Sequence, residues 1–209
     1  MRKDRARLRL RLPLSRADRP AGCRAGGVES ERMIVAALPA PLPVVMSGIT
    51  QQDQVASLDA DLLRGPTATA ALQRRCGDVP VRVEVDRDAK RAPDAAQRQR
   101  LQVGPDEPVS YRRVRLVCGD RLLSEAENWF VPSRLTDAMN RDLLSGTRPY
   151  GAVIAPLRPR RRNLQRERLW DGSGMPPEKI LRHRALVLDH NGVPLAEVVE
   201  TYHRGALHR

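Results

Sequence analysis

The chain has 209 residues, the length of one ordinary domain, with a formal net charge of +12 and only six aromatic residues. The charge is concentrated in two segments. Residues 1–32 hold ten Lys/Arg and four Asp/Glu, a net of +6, and residues 158–168 hold six Arg and one Glu, a net of +5. The rest carries only +1, and residues 158–168 contain no aromatic residue, so the composition argues against a base-stacking interface and we expect no nucleic-acid partner.

The first 50 residues are predicted to be a disordered, basic and proline-rich extension in front of a compact domain over residues 51–209. Met33–Met46 is apolar, but it carries three prolines and is too short for a membrane-spanning helix. It is either the apolar part of a signal peptide, followed by Ser47-Gly48, or a segment within which translation starts. We expect a cytoplasmic protein with no integral membrane span, and export to the periplasm through residues 33–48 is the alternative.

Residues 53–101 are predicted to form three helices and one strand, which lies between the second and the third helix. Apolar residues at helical spacing predict a helix over 53–63, which Gly65-Pro66 ends. Thr67 is positioned to cap a second helix that runs to about Arg75. Alternating valines predict a strand over 79–85, and a short helix follows over 94–101.

Two hairpins give the strongest signals. The first has arms over 109–118 and 122–131 around Cys118-Gly119-Asp120-Arg121, and the second has arms over 180–188 and 194–202 around an Asn-Gly turn. Between them, Thr136 caps a helix through Leu144, and the arginine-rich segment forms a strand that ends at Trp170. These elements predict an α+β fold, an antiparallel sheet of about six strands with helices packed on one face.

The three cysteines lack zinc-ligand spacing, and the four histidines all fall within the last 27 residues, so we expect no metal. Incidental free thiols are the preferred interpretation. A Cys76–Cys118 disulfide is the alternative, if the protein is exported.

Polar residues on the predicted strands are the candidates for function. Glu197 and Glu200 differ by three positions and should face opposite sides of the sheet, one inward and one toward solvent. An inward carboxylate is either half of a buried ion pair, which we favour, or a general acid/base beside arginines. Asn128 lies in mid-strand, where asparagine is disfavoured, so it either contacts a ligand or bonds a neighbouring loop.

Several strings in the same order resemble chorismate lyase, over about residues 58–207. Tyr111-Arg112-Arg113 and Leu116-Val117-Cys118 resemble its aromatic-x-Arg and Leu-Cys strand, and Val131-Pro132 matches the Val-Pro after its next strand. Arg148-Pro149-Tyr150-Gly151 resembles a Thr-Pro-Leu-Gly by its ligand site. Gly192-Val193-Pro194 followed by Glu200 resembles the strand with its catalytic Glu.

The resemblance implies a cofactor-independent lyase at the head of ubiquinone synthesis, which converts chorismate to 4-hydroxybenzoate and pyruvate or acts on a related small carboxylate. It assigns Glu200 as general acid/base and Arg113 or Arg162 as the carboxylate clamp. Asn128 and the Gly151 amide become orienting donors.

Two positions depart from that family, since Asn128 and Ala152 stand where it has arginines. Glu200 also aligns only if one residue is inserted after Pro194. Glu200-Thr201-Tyr202-His203-Arg204 resembles a strand of the effector-binding UTRA domains of GntR-type repressors. Such a repressor also needs a DNA-binding head, and residues 1–50 are too short to form one. The alternative function is therefore a non-catalytic binder of small acids with the same fold, and in either case we expect a monomer whose partner is a small-molecule carboxylate.

Overall fold

A computed structural model describes residues 49–65 and 67–207 of the chain. The predictions made for the N-terminal extension, including the Met33–Met46 segment and the start of translation, lie outside these residues. Within them, no helix is both long enough and apolar enough to cross a membrane.

The described residues form one six-stranded antiparallel sheet, as predicted. Its strands are β1 (Arg82–Asp86), β2 (Ser110–Cys118), β3 (Arg121–Phe130), β4 (Arg160–Arg168), β5 (Lys179–Leu188) and β6 (Pro194–His203). The spatial order is β1-β2-β3-β6-β5-β4. The two predicted hairpins, β2–β3 and β5–β6, therefore meet at the centre of the sheet, where β3 pairs with β6.

Each hairpin turn has a local cause. Gly119 takes a φ of 62° between β2 and β3, a conformation that costs glycine little because it has no Cβ. Between β5 and β6, the Asp189 carboxylate accepts hydrogen bonds from the amides of Asn191 and Val193, at 2.9 and 2.8 Å, and Gly192 takes a φ of 87°. These bonds fix the register that sets which β6 residues face which side.

In the part of the chain that the structure describes, five α-helices accompany the sheet: α1 (Gln51–Arg64), α2 (Ala68–Cys76), α3 (Ala95–Leu101), α4 (Asp137–Ser145) and α5 (Tyr150–Val153). The first four begin at side chains that accept a hydrogen bond from a backbone amide three residues on, which satisfies a donor that the helix leaves unpaired. These caps are Thr50, Thr67, Asp94 and Thr136.

Four helices pack on one face of the sheet, which we call the inner face. Leu58 of α1 and Leu72 of α2 pack with Leu181 and Tyr202, while Leu143 of α4 packs with residues of β3 and β6. The short α3 lies on the opposite, outer face, where Leu101 packs against Trp129 and Leu186. The outer face beyond α3 has no helix from the described part of the chain.

The structure joins Cys76 and Cys118 in a disulfide, with the two Cα atoms 6.1 Å apart. Our preferred expectation of free thiols was wrong for this pair. The bond is made between the last residue of α2 and the last residue of β2, because α2 packs over that end of the strand. It attaches α2 covalently to the sheet.

Candidate functional site

A cavity lies between the inner face and the helical layer. It encloses about 680 Å³ of empty space, including space at its solvent-open mouth. Its floor is formed by strand residues and its walls by the start of α2, by α5 and by the segment that enters β4. The lining residues are Thr67, Ala68, Thr69, Val114, Leu116, Ser124, Ala126, Asn128, Pro149, Tyr150, Gly151, Ile154, Pro159, Arg160, Arg161, Val187, Val198 and Glu200.

A polar cluster centred on Glu200 lies within this largely apolar lining. The Oε2 atom of Glu200 accepts hydrogen bonds from Arg161 Nη2 at 2.7 Å and from the Tyr202 hydroxyl at 2.8 Å. Both members of the ion pair are largely buried, with 15% of the Arg161 side chain and 12% of the Glu200 side chain exposed. Arg161 is oriented further by Asn163, whose Oδ1 accepts from its Nε at 3.0 Å.

The cluster favours the charged form of Arg161 and the neutral form of Tyr202. Burial lowers the pKa of Arg161, but the charge of Glu200, the Tyr202 hydroxyl and the hydrogen bond to Glu200 together raise it above its ordinary value. Burial, and then the Glu200 charge, raise the pKa of Tyr202 well above its ordinary value. The cluster therefore presents a fixed guanidinium, a carboxylate and a neutral phenol inside the cavity.

A second polar group lies beside the cavity, near Asn128. Arg112 is buried and is the β2 partner of Asn128 across the strand pair. Its Nη2 donates to the carbonyls of Gly146 and Arg148, at 3.3 and 3.0 Å, whereas its Nε and Nη1 have no hydrogen-bond partner among the described residues. Burial, together with the charge of Arg87, lowers the pKa of Arg112 to about 10. A buried guanidinium without a carboxylate is costly.

The Tyr150 hydroxyl repeats this pattern. It is buried, it finds no partner among the described residues, and burial raises its pKa. Tyr150 lines the cavity from α5, two residues after Arg148, whose carbonyl Arg112 contacts. Arg112 and Tyr150 thus both carry buried polar atoms for which the described residues provide no hydrogen-bond partner.

The structure brings three of the five predicted site residues together. Glu200, Asn128 and Gly151 all line the cavity. Asn128 is buried and its Nδ2 donates to the Arg112 carbonyl at 3.4 Å, so its amide bonds the neighbouring strand. Gly151 lets α5 approach the start of α2, because a Cβ at this position would lie 2.6 Å from Cγ2 of Thr67.

The other two predicted residues lie elsewhere. Arg162 is exposed on β4, and its neighbour Arg161 turns into the cavity instead, since successive strand residues point to opposite faces. Arg113 lies on the outer face, 3.6 Å from Glu125 and 3.9 Å from Asp86. Neither can reach a ligand on the inner face, which corrects the placement that the sequence led us to expect.

The two glutamates of β6 face opposite sides of the sheet, as their spacing predicts. Glu197 does not reach solvent, however, because α3 covers it. Its carboxylate accepts from Arg100 Nε at 2.6 Å, from Arg184 Nη1 at 2.9 Å and from Gln97 Nε2 at 3.2 Å. Glu197 is therefore the buried carboxylate of an ion-pair cluster on the outer face, with two partly exposed arginines.

A further buried pair lies next to the cavity floor. His183 is the β5 partner of Glu200, and its ring meets the Tyr202 ring edge-on at 5.4 Å. Its Nε2 lies 2.9 Å from Oδ1 of Asp59 on α1, whose other oxygen binds Arg166 at 2.8 Å. Nδ1 has no partner among the described residues. The pair holds α1 over the cluster that contains Glu200.

No group of three or more His, Cys, Asp or Glu side chains in the part of the chain that the structure describes is arranged to hold a metal ion. The expectations of no metal and no cofactor stay predictions.

Sequence reasoning missed Arg161, Arg112, Tyr150 and Tyr202. The arginines occur in runs in which no residue stands out, and a strand tyrosine is ordinary. Tyr202 lies two residues after Glu200, and this i, i+2 spacing places both on one face, which was the available signal.

Comparison with solved structures identifies the fold. The effector domain of PhnF from Mycobacterium smegmatis superposes with a TM-score of 0.52 at 11% sequence identity, covering 66% of this chain and 90% of that domain. The larger PhnF structure gives a TM-score of 0.50 at 12% identity, and this chain spans only 63% of its length. At such identities the likeness shows the fold alone, which is the UTRA-type, chorismate lyase-like fold.

Comparison of sequences identifies the family. No family model matches the chain. A protein of Sinorhizobium fredii (strain NBRC 101917 / NGR234), described as "Uncharacterized protein y4mC", is 36% identical over an alignment of 176 residues that covers 72% of this chain and 74% of that protein. On this identity and coverage, the chain belongs to the same family as y4mC.

Proposed function

We propose that this chain is a ligand-binding protein whose inner-face cavity holds a small organic acid with an apolar or aromatic body. The observation that carries the proposal is the Arg161–Glu200–Tyr202 cluster, a set of fixed polar groups within otherwise apolar walls. Small-molecule sites have this composition, with apolar lining for affinity and a few placed polar groups for orientation.

The arginines in and beside the cavity favour an acidic ligand. Arg160 and Arg161 line the cavity, and Arg112 lies beside it with no carboxylate within ion-pair distance among the described residues. A carboxylate that reached these side chains would give Nε and Nη1 of Arg112 and the Tyr150 hydroxyl the acceptor that they lack. Charge-assisted hydrogen bonds of this kind are among the stronger polar contacts in proteins.

The fold comparison supports the same function. The PhnF domain that superposes on this chain is described as an effector domain. Binding without turnover also agrees with Asn128 and Ala152, which replace the two arginines that the resemblance to chorismate lyase would require.

The test is thermal unfolding of the full chain with 4-hydroxybenzoate, benzoate and the neutral benzamide. A ligand at a hundred times its Kd adds about 2.7 kcal/mol to the free energy of unfolding, which raises the Tm by roughly 5–10 °C. We expect the two acids to stabilise the protein and benzamide not to. Equal responses to all three compounds, or no response, would refute the proposal.

Chorismate lyase-type turnover is the second candidate, and the placement of Glu200 in the cavity favours it. Glu200 would act there as general acid/base, with Arg161 rather than Arg113 or Arg162 as the clamp. Incubation with chorismate should then release 4-hydroxybenzoate and pyruvate in equal amounts, and Glu200→Gln should abolish both. No release from a protein that 4-hydroxybenzoate stabilises would exclude turnover and leave binding as the function.

A further inference from the structure

The outer face of the sheet carries a groove that the proposed function does not use. Its floor is formed by Val199 and Thr201 of β6, and two adjoining depressions share this floor. Five cations stand along its walls: Arg91, Arg113, Lys179, Arg182 and Arg184. We call these seven residues the outer-face groove, and the sheet separates it from the inner-face cavity.

The cations of the groove outnumber its carboxylates. The walls contain five Lys/Arg against three acids, namely Asp94, Glu125 and Glu127. Glu127 is already engaged, since it accepts from Arg91 at 3.0 Å and from the Tyr111 hydroxyl at 2.7 Å. Arg184 is likewise closely paired, with the buried Glu197 at 2.9 Å, so the cations that lack a close carboxylate partner among the described residues are the remaining three.

Three of the cations are only loosely paired. Lys179 lies 3.9 Å from Glu125, and Arg113 lies 3.6 Å from the same residue. Arg182 lies 3.6 Å from Glu167, and its bond to the Thr201 hydroxyl is 3.5 Å long. Such distances exceed the 2.7–2.9 Å of a close charge-assisted bond, so these donors are free to turn toward an anion.

The cations also face one another across the floor, which suits a ligand with more than one charge. Arg91 and Arg113 come from the β1–α3 segment and β2, on one side of β6, while Lys179, Arg182 and Arg184 come from β5 on the other. We propose that the outer-face groove is a second binding site, for a small anion that carries two or more carboxylate or phosphate groups. One anionic group would meet Arg182 and Lys179, and another would meet Arg91 and Arg113.

Calorimetric titration of the full chain with citrate, and separately with pyrophosphate, tests this site. We expect saturable binding of at least one anion, and Arg182→Gln and Lys179→Gln should each weaken it about tenfold, because each removes a charge-assisted contact. Binding of citrate alone would indicate a carboxylate ligand, and binding of pyrophosphate alone would indicate a phosphate ligand. Binding of both would indicate a site that selects its ligand by charge. The fluorescence of Trp129 supplies a second readout, because the Arg91 guanidinium lies 5.6 Å from the centre of its ring and would move toward the anion.

Arg115→Gln is the matched control. Arg115 is exposed on the same face of β2, pairs with Glu84 at 3.9 Å and lies outside the groove. The Arg115→Gln variant should bind the anions as the unaltered chain does. The Arg182→Gln variant should still be stabilised by 4-hydroxybenzoate, which separates this proposal from the function of the cavity. Equal loss in Arg115→Gln, no loss in either groove variant, or no saturable binding of either anion would overturn the inference.

Discussion

The Asp59 carboxylate joins three elements of the protein. It lies on α1 and contacts His183 of β5 and Arg166 of β4 while being almost fully buried. Since an ionised carboxylate only accepts, His183 must donate through Nε2. This pair is the polar anchor of α1 beside the apolar contacts of Leu58 and Leu62.

Asp59→Ala should therefore destabilise the fold. It leaves the buried His183 ring with no acceptor, and an unsatisfied buried group costs about 1–3 kcal/mol. Urea unfolding followed by circular dichroism measures the loss. Asp78→Ala, in the exposed turn after α2, is the control and should stay within about 0.5 kcal/mol of the unaltered chain. Equal stability of both variants would show that the anchor contributes nothing.

Two buried histidines predict how stability depends on pH. Burial lowers the pKa of His183 and of His203, although nearby carboxylates act in the opposite direction. The unfolded chain takes up these protons near the ordinary value of 6.5, so below it the unfolded state binds more protons than the folded state. The free energy of unfolding should fall as the pH drops through this value, by up to about 1.4 kcal/mol per pH unit for each ring.

Urea unfolding at a series of pH values around 6.5 measures how steeply the free energy of unfolding changes with pH. His183→Gln should flatten this dependence, because the amide can still donate to Asp59 but takes up no proton. His190→Gln, in the exposed turn between β5 and β6, should leave it unchanged. A slope that is the same in all three proteins would contradict the assignment to His183.

Pairs of adjacent arginines show where sequence reasoning stopped. Arg161 lines the cavity while Arg162 is exposed, and Arg112 lies on the inner face while Arg113 lies on the outer one. Alternation predicts that such neighbours differ, but not which one turns inward. Register irregularities at Leu116/Val117 and at Asn163/Gln165 shift the alternation along both strands, and only the paired sheet reveals them.

At the scale of elements, the sequence predicted more. Both hairpins form within one residue of the expected bounds, because alternating apolar residues and glycine-containing turns are local signals. The predicted caps at Thr67 and Thr136 are present. The position of α3 on the outer face was not predictable, since its contact with Glu197 joins residues about 100 positions apart.

The disulfide gives the α2 layer a testable property. It joins Cys76 to Cys118 across 42 positions of sequence, and a crosslink of this kind typically stabilises a fold by about 2–4 kcal/mol. Reduction or Cys76→Ala should lower the urea midpoint, and alkylation with mass spectrometry should find these two thiols blocked in the unreduced protein. Cys23→Ala is the control. Free Cys76 and Cys118 thiols in protein purified without reductant would contradict the pairing.

At the scale of the whole molecule, the central strands contribute side chains to both faces of one sheet, because successive residues of a strand point to opposite sides. β3 and β6 carry Asn128 and Glu200 into the inner-face cavity, and the same strands carry Glu127 and Thr201 into the outer-face groove. The expectations of a monomer and of no nucleic-acid partner stay predictions. So does the division of the chain near residue 50.

Truncation tests that division. A chain that starts at residue 47 keeps Thr50, whose side chain and backbone form a capping box with Asp53 at the start of α1. We expect its Tm and its ligand response to equal those of the full chain. Thr50→Ala in the shortened chain should cost about 1 kcal/mol of stability, because the cap is lost. Failure of the shortened chain to fold would show that the domain extends further toward the N-terminus.

The central claim is that the inner-face cavity binds a small acid through its buried charges, and adjacent arginines of β4 test it most directly. Calorimetric titration with 4-hydroxybenzoate should give saturable binding to the unaltered chain and to Arg162→Gln, whose side chain is exposed. Arg161→Gln should weaken binding tenfold or more, roughly the worth of one hydrogen bond to a charged group, because it removes a cavity cation and leaves Glu200 uncompensated. Equal affinities of the two variants, or no binding to the unaltered chain, would contradict the account.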